Sequence, residues 1–273
     1  MIEIRNLTFA YDNETEPALT DINLDIRDGE WLALIGGNGS GKSTLLRQLN
    51  GLLLPSRGRV LVDGLDTADS EQLWQARQKV ALVFQNPDNQ FIAASVEDDV
   101  AFGLENLGLP PMTISNRVEG ALGLMQLIDK RTCPPHQLSG GEKQRVALAG
   151  AIAMASTYLA LDEPTSMLDP QLRGAVLETL QYLQRKLGLA IVYATNILQE
   201  ALWADRVIVL EQGRVVRQGT PAEIFADPQW LAEKGLALPP ICRLAALVAA
   251  AGYEQFQGVV TEAELEEKLL CGK

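Results

Sequence analysis

Histidine is nearly absent from this chain: one residue, His136, in 273. It follows Pro134 and Pro135, so it reads as a loop residue rather than a catalyst. Cysteine is scarce as well. Cys133, Cys242 and Cys271 lie far apart and form no CxxC pair, which argues against a zinc site or a disulfide framework and fits a reducing compartment. Basic charge is outnumbered, with 23 Lys and Arg against 35 Asp and Glu, a net charge of −12. Nucleic-acid binding needs clustered Lys and Arg on phosphates, so no nucleic-acid partner is expected. The acidic balance reads as plain solubility. No apolar run approaches a membrane span, and the best, Leu244 to Gly252, is far too short. The opening, Met1-Ile2-Glu3-Ile4-Arg5, alternates like a strand and is expected to carry no apolar signal region. No repeat or low-complexity tract interrupts the sequence. Work at a membrane would therefore run through partners.

The chain is long enough for one large domain plus a small one, and its 47% apolar content suits a full core. Strands are predicted at Ile2 to Thr8, Leu19 to Ile26, Trp31 to Ile35, Val60 to Val62, Val80 to Phe84, Tyr158 to Leu161 and Leu189 to Tyr193. Helical spacing covers Ser43 to Leu54, Gln171 to Leu187, and Ser95 to Ile128 with a break at Gly108 to Pro111. Val207 to Leu210 and Arg214 to Val216 flank the Gln212-Gly213 turn and predict a hairpin. Strands alternating with helices predict an α/β fold with a mostly parallel sheet and helices on both faces. Beyond Gly219 the composition shifts, and Pro228, Pro239 and Pro240 interrupt short helical pieces. The last helix, Glu262 to Leu270, carries the capping signal Thr261-x-x-Glu264. The expected division is 1–219 as one domain, with a helical part at about 90–156, and 220–273 as a small C-terminal helical appendage.

Gly36-Gly37-Asn38-Gly39-Ser40-Gly41-Lys42-Ser43-Thr44 has P-loop spacing. Glycines let backbone N–H groups approach phosphates. Lys42 carries charge to the β and γ phosphates, and the Ser43 hydroxyl can ligate Mg²⁺. The apolar run Trp31 to Ile35 precedes the loop, and a helix whose N-terminus faces the anion follows it. ATP with Mg²⁺ is the expected ligand.

Further strings follow in order. Leu138-Ser139-Gly140-Gly141-Glu142-Lys143-Gln144-Arg145 opens a helix with apolar periodicity over Val146 to Ala155. Ser139, Gly140 and Gly141 there could form an anion site or simply cap the helix. Leu159-Ala160-Leu161-Asp162-Glu163-Pro164-Thr165 ends a buried strand on two carboxylates, which strand alternation would point apart. Ser166-Met167-Leu168-Asp169 precedes Pro170 and also reads as an ordinary helix start. Gln85 follows a strand, and Tyr11 follows the first strand.

These strings together resemble the nucleotide-binding subunit of an ABC transporter over roughly residues 1–220. The resemblance implies a P-loop (RecA-like) core with an N-terminal antiparallel β part and a helical signature subdomain. It implies that Asp162 orients Mg²⁺ through water and that Glu163 is the general base for attacking water. Gln85 would contact Mg²⁺ or water and link the site to a membrane partner. Tyr11 sits where an aromatic stacks on adenine, or is an exposed loop tyrosine. Ser139 to Gly141 would meet the γ phosphate held by an opposite subunit, so two chains build one site.

Phe84-Gln85-Asn86-Pro87-Asp88-Asn89-Gln90-Phe91 further resembles the energy-coupling factor and cobalt or nickel importer ATPases, as does the C-terminal piece. That resemblance implies two ATPase chains, alike or different, on one transmembrane coupling protein at the cytoplasmic face of the cell membrane. A small substrate-binding membrane protein would choose the vitamin or metal ion.

One string departs from the family. Thr195-Asn196-Ile197 stands where Thr-His-Asp is usual. Asn196 can donate a hydrogen bond, but it is shorter than histidine and uncharged. Losing such a donor outright slows turnover by about 10²–10³, and a weaker one by less. The leading function is a transport ATPase. The alternatives are a hydrolysis-impaired partner of a competent ATPase, and a soluble ABC-type ATPase on DNA or ribosomes, which the missing coiled-coil insertion and basic patch oppose.

Overall fold

Alternating apolar residues from Ile2 onward build the first strand, β1 (Ile2–Phe9), which pairs antiparallel with β2 (Leu19–Ile26). The computed structural model describes residues 1–12 and 14–271. β3 (Trp31–Ile35) is buried along its whole length and leaves this sheet for another. The P-loop joins it to α1 (Lys42–Leu49). β4 (Arg57–Val62) returns to pair with β1 and is extended by the short β5 (Leu65–Asp66). The antiparallel sheet has the order β2-β1-β4-β5.

Next come α2 (Leu73–Lys79) and β6 (Val80–Val83), then the helical part: α3 (Val96–Asn106), α4 (Pro111–Leu124) and α5 (Gly140–Ala153). β7 (Tyr158–Asp162), α6 (Pro170–Leu187) and β8 (Ala190–Ala194) follow, then the hairpin β9 (Arg206–Glu211) and β10 (Arg214–Gly219). The second sheet has the order β10-β9-β3-β8-β7-β6. Its strands are parallel except β10, an antiparallel edge. Four short helices follow among the described residues: α7 (Pro221–Phe225), α8 (Pro228–Glu233), α9 (Pro240–Ala250) and α10 (Glu262–Cys271).

The period of two along a strand sends alternate side chains to opposite faces, and here both faces are cores. Trp31, Ala33 and Ile35 join the core beneath α3, α5 and α6, whereas Leu32 and Leu34 face the antiparallel sheet and α1. Leu159 and Leu161 go with the first set, Tyr158 and Ala160 with the second. A strand buried on both faces reads as a continuous apolar run, which is why these strands stand out in the sequence.

Register aligns the strand ends. Leu34 pairs with Ala194, Asp162 pairs with Ala194, and Val83 pairs with Leu161. The loops after β3, β6, β7 and β8 therefore leave from one edge, the carboxyl edge at which ligands bind in parallel sheets.

Some predicted bounds move. The helix expected to run to Leu54 ends at Leu49, because Gly51 takes φ 66° and the N–H groups of Leu52 and Leu53 turn back to the Arg47 carbonyl. This is a glycine-terminated C-cap. α2 and β5 lacked a sequence signal, since Leu73–Lys79 buries only Ala76 and carries no apolar stripe. Among the described residues Cys133 and Cys242 are free thiols, and the Cys271 side chain lies outside the description. His136 sits exposed in a short 3-10 turn.

Candidate nucleotide site

The P-loop wraps the start of α1 through two glycines that nothing else could replace. A Cβ on Gly36 would lie 2.2 Å from the Leu210 carbonyl oxygen. Gly41 has φ 104°, and a Cβ there would lie 2.9 Å from the Ala18 carbonyl oxygen. Gly41 is also the N-cap of α1 and offers no side chain, so the first N–H groups of the helix are left for another acceptor.

Lys42 is 6% exposed and donates to the carbonyls of Gly36 at 2.8 Å and Gly37 at 3.1 Å. Among the described residues it forms no salt bridge. Burial pulls its pKa below the usual lysine value, while the charges of Glu163 and Asp162 pull it back up. A buried cation held by carbonyls favours an anion beside it. Beside it lies a cleft of about 690 Å³. The cleft is lined by Asn38, Gly39, Ser40, Gly41, Lys42, Ser43 and Thr44, with Tyr11, Gln85 and Glu163 across from them. Its size, glycine lining and lysine fit a nucleoside triphosphate.

Ser43 donates to Asp162 Oδ1 at 3.0 Å. A hydroxyl beside a carboxylate is the oxygen pair that Mg²⁺ takes, with phosphates and water completing its shell. Among the described residues no cluster of three or more His, Cys, Asp or Glu could hold a metal by itself, and a triphosphate-bound Mg²⁺ does not need one. Burial raises the Asp162 pKa, which the Ser43 hydrogen bond opposes.

The two adjacent carboxylates do diverge, but not by strand alternation. β7 ends at Asp162, and Glu163 turns to φ 47°. That conformation costs about 1–2 kcal/mol for a residue with a Cβ. The Glu163 N–H is anchored on the Ala194 carbonyl at 2.9 Å. Both its carboxylate oxygens are taken by amides. Gln85 Nε2 donates to Oε2 at 3.0 Å, and Asn196 Nδ2 donates to Oε1. Asn196 also donates to Asn38 Oδ1 at 3.2 Å, so it bridges the P-loop to Glu163. Burial raises the Glu163 pKa; Lys42 opposes this and Asp162 adds to it.

The remaining predicted residues fall in two places. Tyr11 lines the cleft, packs edge-on against Phe9 at 4.9 Å, and shares a 2.9 Å hydrogen bond with the Thr44 hydroxyl. Ser139, Gly140 and Gly141 line no part of the cleft. They start α5, where the Ser139 hydroxyl accepts from the Glu142 N–H and the Glu142 carboxylate accepts from the Ser139 N–H. Cβ atoms on Gly140 and Gly141 would touch Met167 and Leu168 at 3.3 Å, so this turn packs on the segment after Glu163. The bridge through Asn38 was not foreseen from sequence. Its asparagine looked like any other residue within a glycine loop.

Fold and cleft define a P-loop nucleotide-binding domain. The ABC transporter family matches residues 19–166. The energy-coupling factor transporter ATP-binding protein EcfA1 of Symbiobacterium thermophilum is 52% identical over 252 residues, which is 92% of this chain and 88% of that one. The protein of the same name from Caldanaerobacter subterraneus subsp. tengcongensis is 46% identical over 98% of both chains. Among solved structures, cbiO1 from Clostridium perfringens, part of the ABC transporter complex cbiONQ, is 40% identical with a TM-score of 0.75, over 90% of this chain and 98% of that one. The ATP-binding cassette MJ0796, a dimer in a post-hydrolysis state with ADP and Pi, is 30% identical with a TM-score of 0.76, over 81% and 99%. The chain belongs to the ABC transporter family, in its branch of energy-coupling factor ATP-binding proteins.

Proposed function

We propose that this chain is the ATP-hydrolysing motor of an energy-coupling factor importer for a vitamin or transition-metal ion. The observation that carries the reading is Glu163, gripped by Gln85 and Asn196 at the mouth of a cleft that contains the buried Lys42. In this reading Glu163 takes the proton of the attacking water. Asn196 and Gln85 orient that water, and Lys42 with the Gly37 to Thr44 backbone holds the phosphates. Ser43, Asp162 and Gln85 would hold Mg²⁺, which neutralises charge on the phosphates. Tyr11 would carry the adenine.

Ser139 to Gly141 complete the site of a second ATPase subunit, identical or not, which is why they lie outside this chain's own cleft. The name of the cbiO1 relative, part of a transporter complex, and the dimer formed by MJ0796 support an assembly of this kind. No helix among the described residues is long and apolar enough to cross a membrane; in this reading the chain sits peripherally on the cytoplasmic side of the cell membrane, as an energy-coupling factor ATPase would. It would work through a transmembrane coupling protein and a substrate-binding membrane protein. A groove of about 380 Å³ lies beyond Gln85, lined by Gln90, Ile92, Val100, Phe102 and Met154, and it suits a helix of the coupling protein. Residues 1–219 form the nucleotide-binding domain in this reading, and 220–273 an appendage. A hydrolysis-impaired role is not favoured, because Glu163 is present and Asn196 still supplies a donor to it.

Glu163→Gln tests this directly. The variant should bind ATP, pair with its second ATPase subunit, a copy of itself or a different chain, when ATP is added, and lose at least about 10²-fold in turnover. A variant that stays monomeric with ATP in the presence of all partners, or that turns over normally, sinks the reading.

A further inference from the structure

Glu200 is 2% exposed and lies outside the cleft, in the short 3-10 turn that follows Thr195-Asn196-Ile197. Its carboxylate accepts hydrogen bonds from the hydroxyls of Thr165, Tyr193 at 3.1 Å and Thr195 at 2.5 Å. Arg173 Nε approaches it at 3.4 Å. Burying a carboxylate is expensive unless its lone pairs are satisfied, and this one is satisfied by four side chains from three stretches of chain.

Two of those stretches carry the residues that meet at the cleft. Thr165 lies two residues after Glu163, and Thr195 immediately precedes Asn196. The Thr195 hydroxyl also accepts from the Ile197 N–H at 2.9 Å, so it spans the backbone on both sides of Asn196. The third, Arg173, donates through Nη2 to the Leu168 carbonyl at 3.2 Å. Leu168 is the side chain packed under Gly141 at the start of α5. One buried carboxylate thus ties the Glu163 segment to the Asn196 segment, and ties both to the turn beneath Ser139 to Gly141.

We propose that Glu200 is a positioning residue for ATP hydrolysis: it sets the spacing of Glu163 and Asn196 from behind, without touching nucleotide. This rests on the reading of Glu163 and Asn196 given above. Geometry errors of an ångström between reacting groups are enough to slow a reaction by about 10²-fold. Loss of Glu200 should therefore appear in kcat rather than in ATP affinity.

The test uses the transporter complex purified from membranes through a tag on this chain. Glu200→Gln keeps the side-chain shape but replaces one acceptor oxygen with a donor. Its kcat should fall by about tenfold or more, with KM for ATP within about twofold. In an Asn196→Ala background the same substitution should add less than about twofold, since without the Asn196 amide the spacing between it and Glu163 no longer counts. If Glu200→Gln fails to fold, Thr195→Val removes one arm of the network at nearly constant shape. It should show the same kcat loss and the same non-additivity with Asn196→Ala. Multiplicative losses, or a fall in ATP affinity with kcat unchanged, would overturn the proposal. Glu163→Gln is run alongside. If it still turns over, the reading of the site fails and this inference with it. If it is dead while the Glu200 and Thr195 losses multiply with Asn196→Ala, this inference alone fails.

Discussion

Two helix N-termini in this chain are offered as anion sites, and they are built in opposite ways. α1 begins at Gly41, with no capping side chain and no acidic residue in its first turn. α5 begins at Ser139 with a complete capping box, and Glu142 in its first turn is further paired with Lys130 at 3.2 Å. The first leaves donors open and adds a buried lysine. The second answers one of its own first-turn donors, the Glu142 N–H, and places negative charge where a phosphate would arrive. A helix N-terminus favours anions by its dipole and free N–H groups, so α1 suits tight binding by this chain alone. In the two-subunit site proposed above, a γ phosphate arriving at α5 would compete with Glu142. That suits a contact made only when a partner delivers a whole nucleotide.

The largest break of this comparison is Lys42→Ala. Removing the buried cation from the α1 site should weaken MgATP binding by about 100-fold or more, read by fluorescent-nucleotide titration. Unchanged affinity and turnover would mean that the two helix starts are equivalent and the P-loop assignment is wrong. Asn196→His sharpens the α1 side next. Restoring the longer donor beside Glu163 should raise steady-state turnover in the complex by about tenfold, or about 1.4 kcal/mol of transition-state stabilisation. ATP affinity should hardly change, because the contact matters mainly in the transition state. An equal or slower histidine variant would mean that the site has adapted to asparagine through Asn38.

Ser139→Ala probes the α5 side. It removes the cap, so thermal unfolding should report a loss of about 1 kcal/mol. ATP-driven pairing of a Glu163→Gln, Ser139→Ala double variant should weaken, while nucleotide binding by the single chain stays intact. Loss of nucleotide binding in the isolated chain would place α5 in its own cleft, against the geometry. The smallest expected effect is on pH dependence. Burial raises the Glu163 pKa above the ordinary 4.5, so the folded state holds this proton more tightly than the unfolded chain. Its contribution to stability is complete below about pH 4.5 and is lost as pH rises through the raised value. Glu163→Gln has no such proton, so its melting temperature should gain on wild type as pH climbs from about 4 to neutrality. A constant difference would mean that Glu163 titrates as in the unfolded chain.

Much of this site is written in contiguous residues. The P-loop, the Leu159 to Thr165 run and the Ser139 capping signal each depend on a few successive dihedrals and side chains, and those are local properties. The Ser139-x-x-Glu142 spacing alone implies the capping box found at α5. The same logic misjudged Glu163, where alternation was expected and a positive φ was found, because the strand ends at Asp162 and Glu163 already belongs to the turn. It also missed α2, which has no apolar face to announce it.

The sequence by itself determined that this is an α/β nucleotide-binding chain, which stretch supplies the glycine-rich lining of the cleft, and that asparagine stands where histidine is usual. It did so because those strings fold within one strand, turn or helix start. Only the tertiary structure decided what Asn196 touches. Asn196 lies 158 residues from Asn38 and 33 from Glu163. It reaches both because β8 pairs with β3 and β7 in a register that ends all three strands together. The burial of Glu200 was likewise hidden. A single acidic residue after a loop reads as solvated surface, and only packing against Thr165, Tyr193 and Arg173 removes it from water.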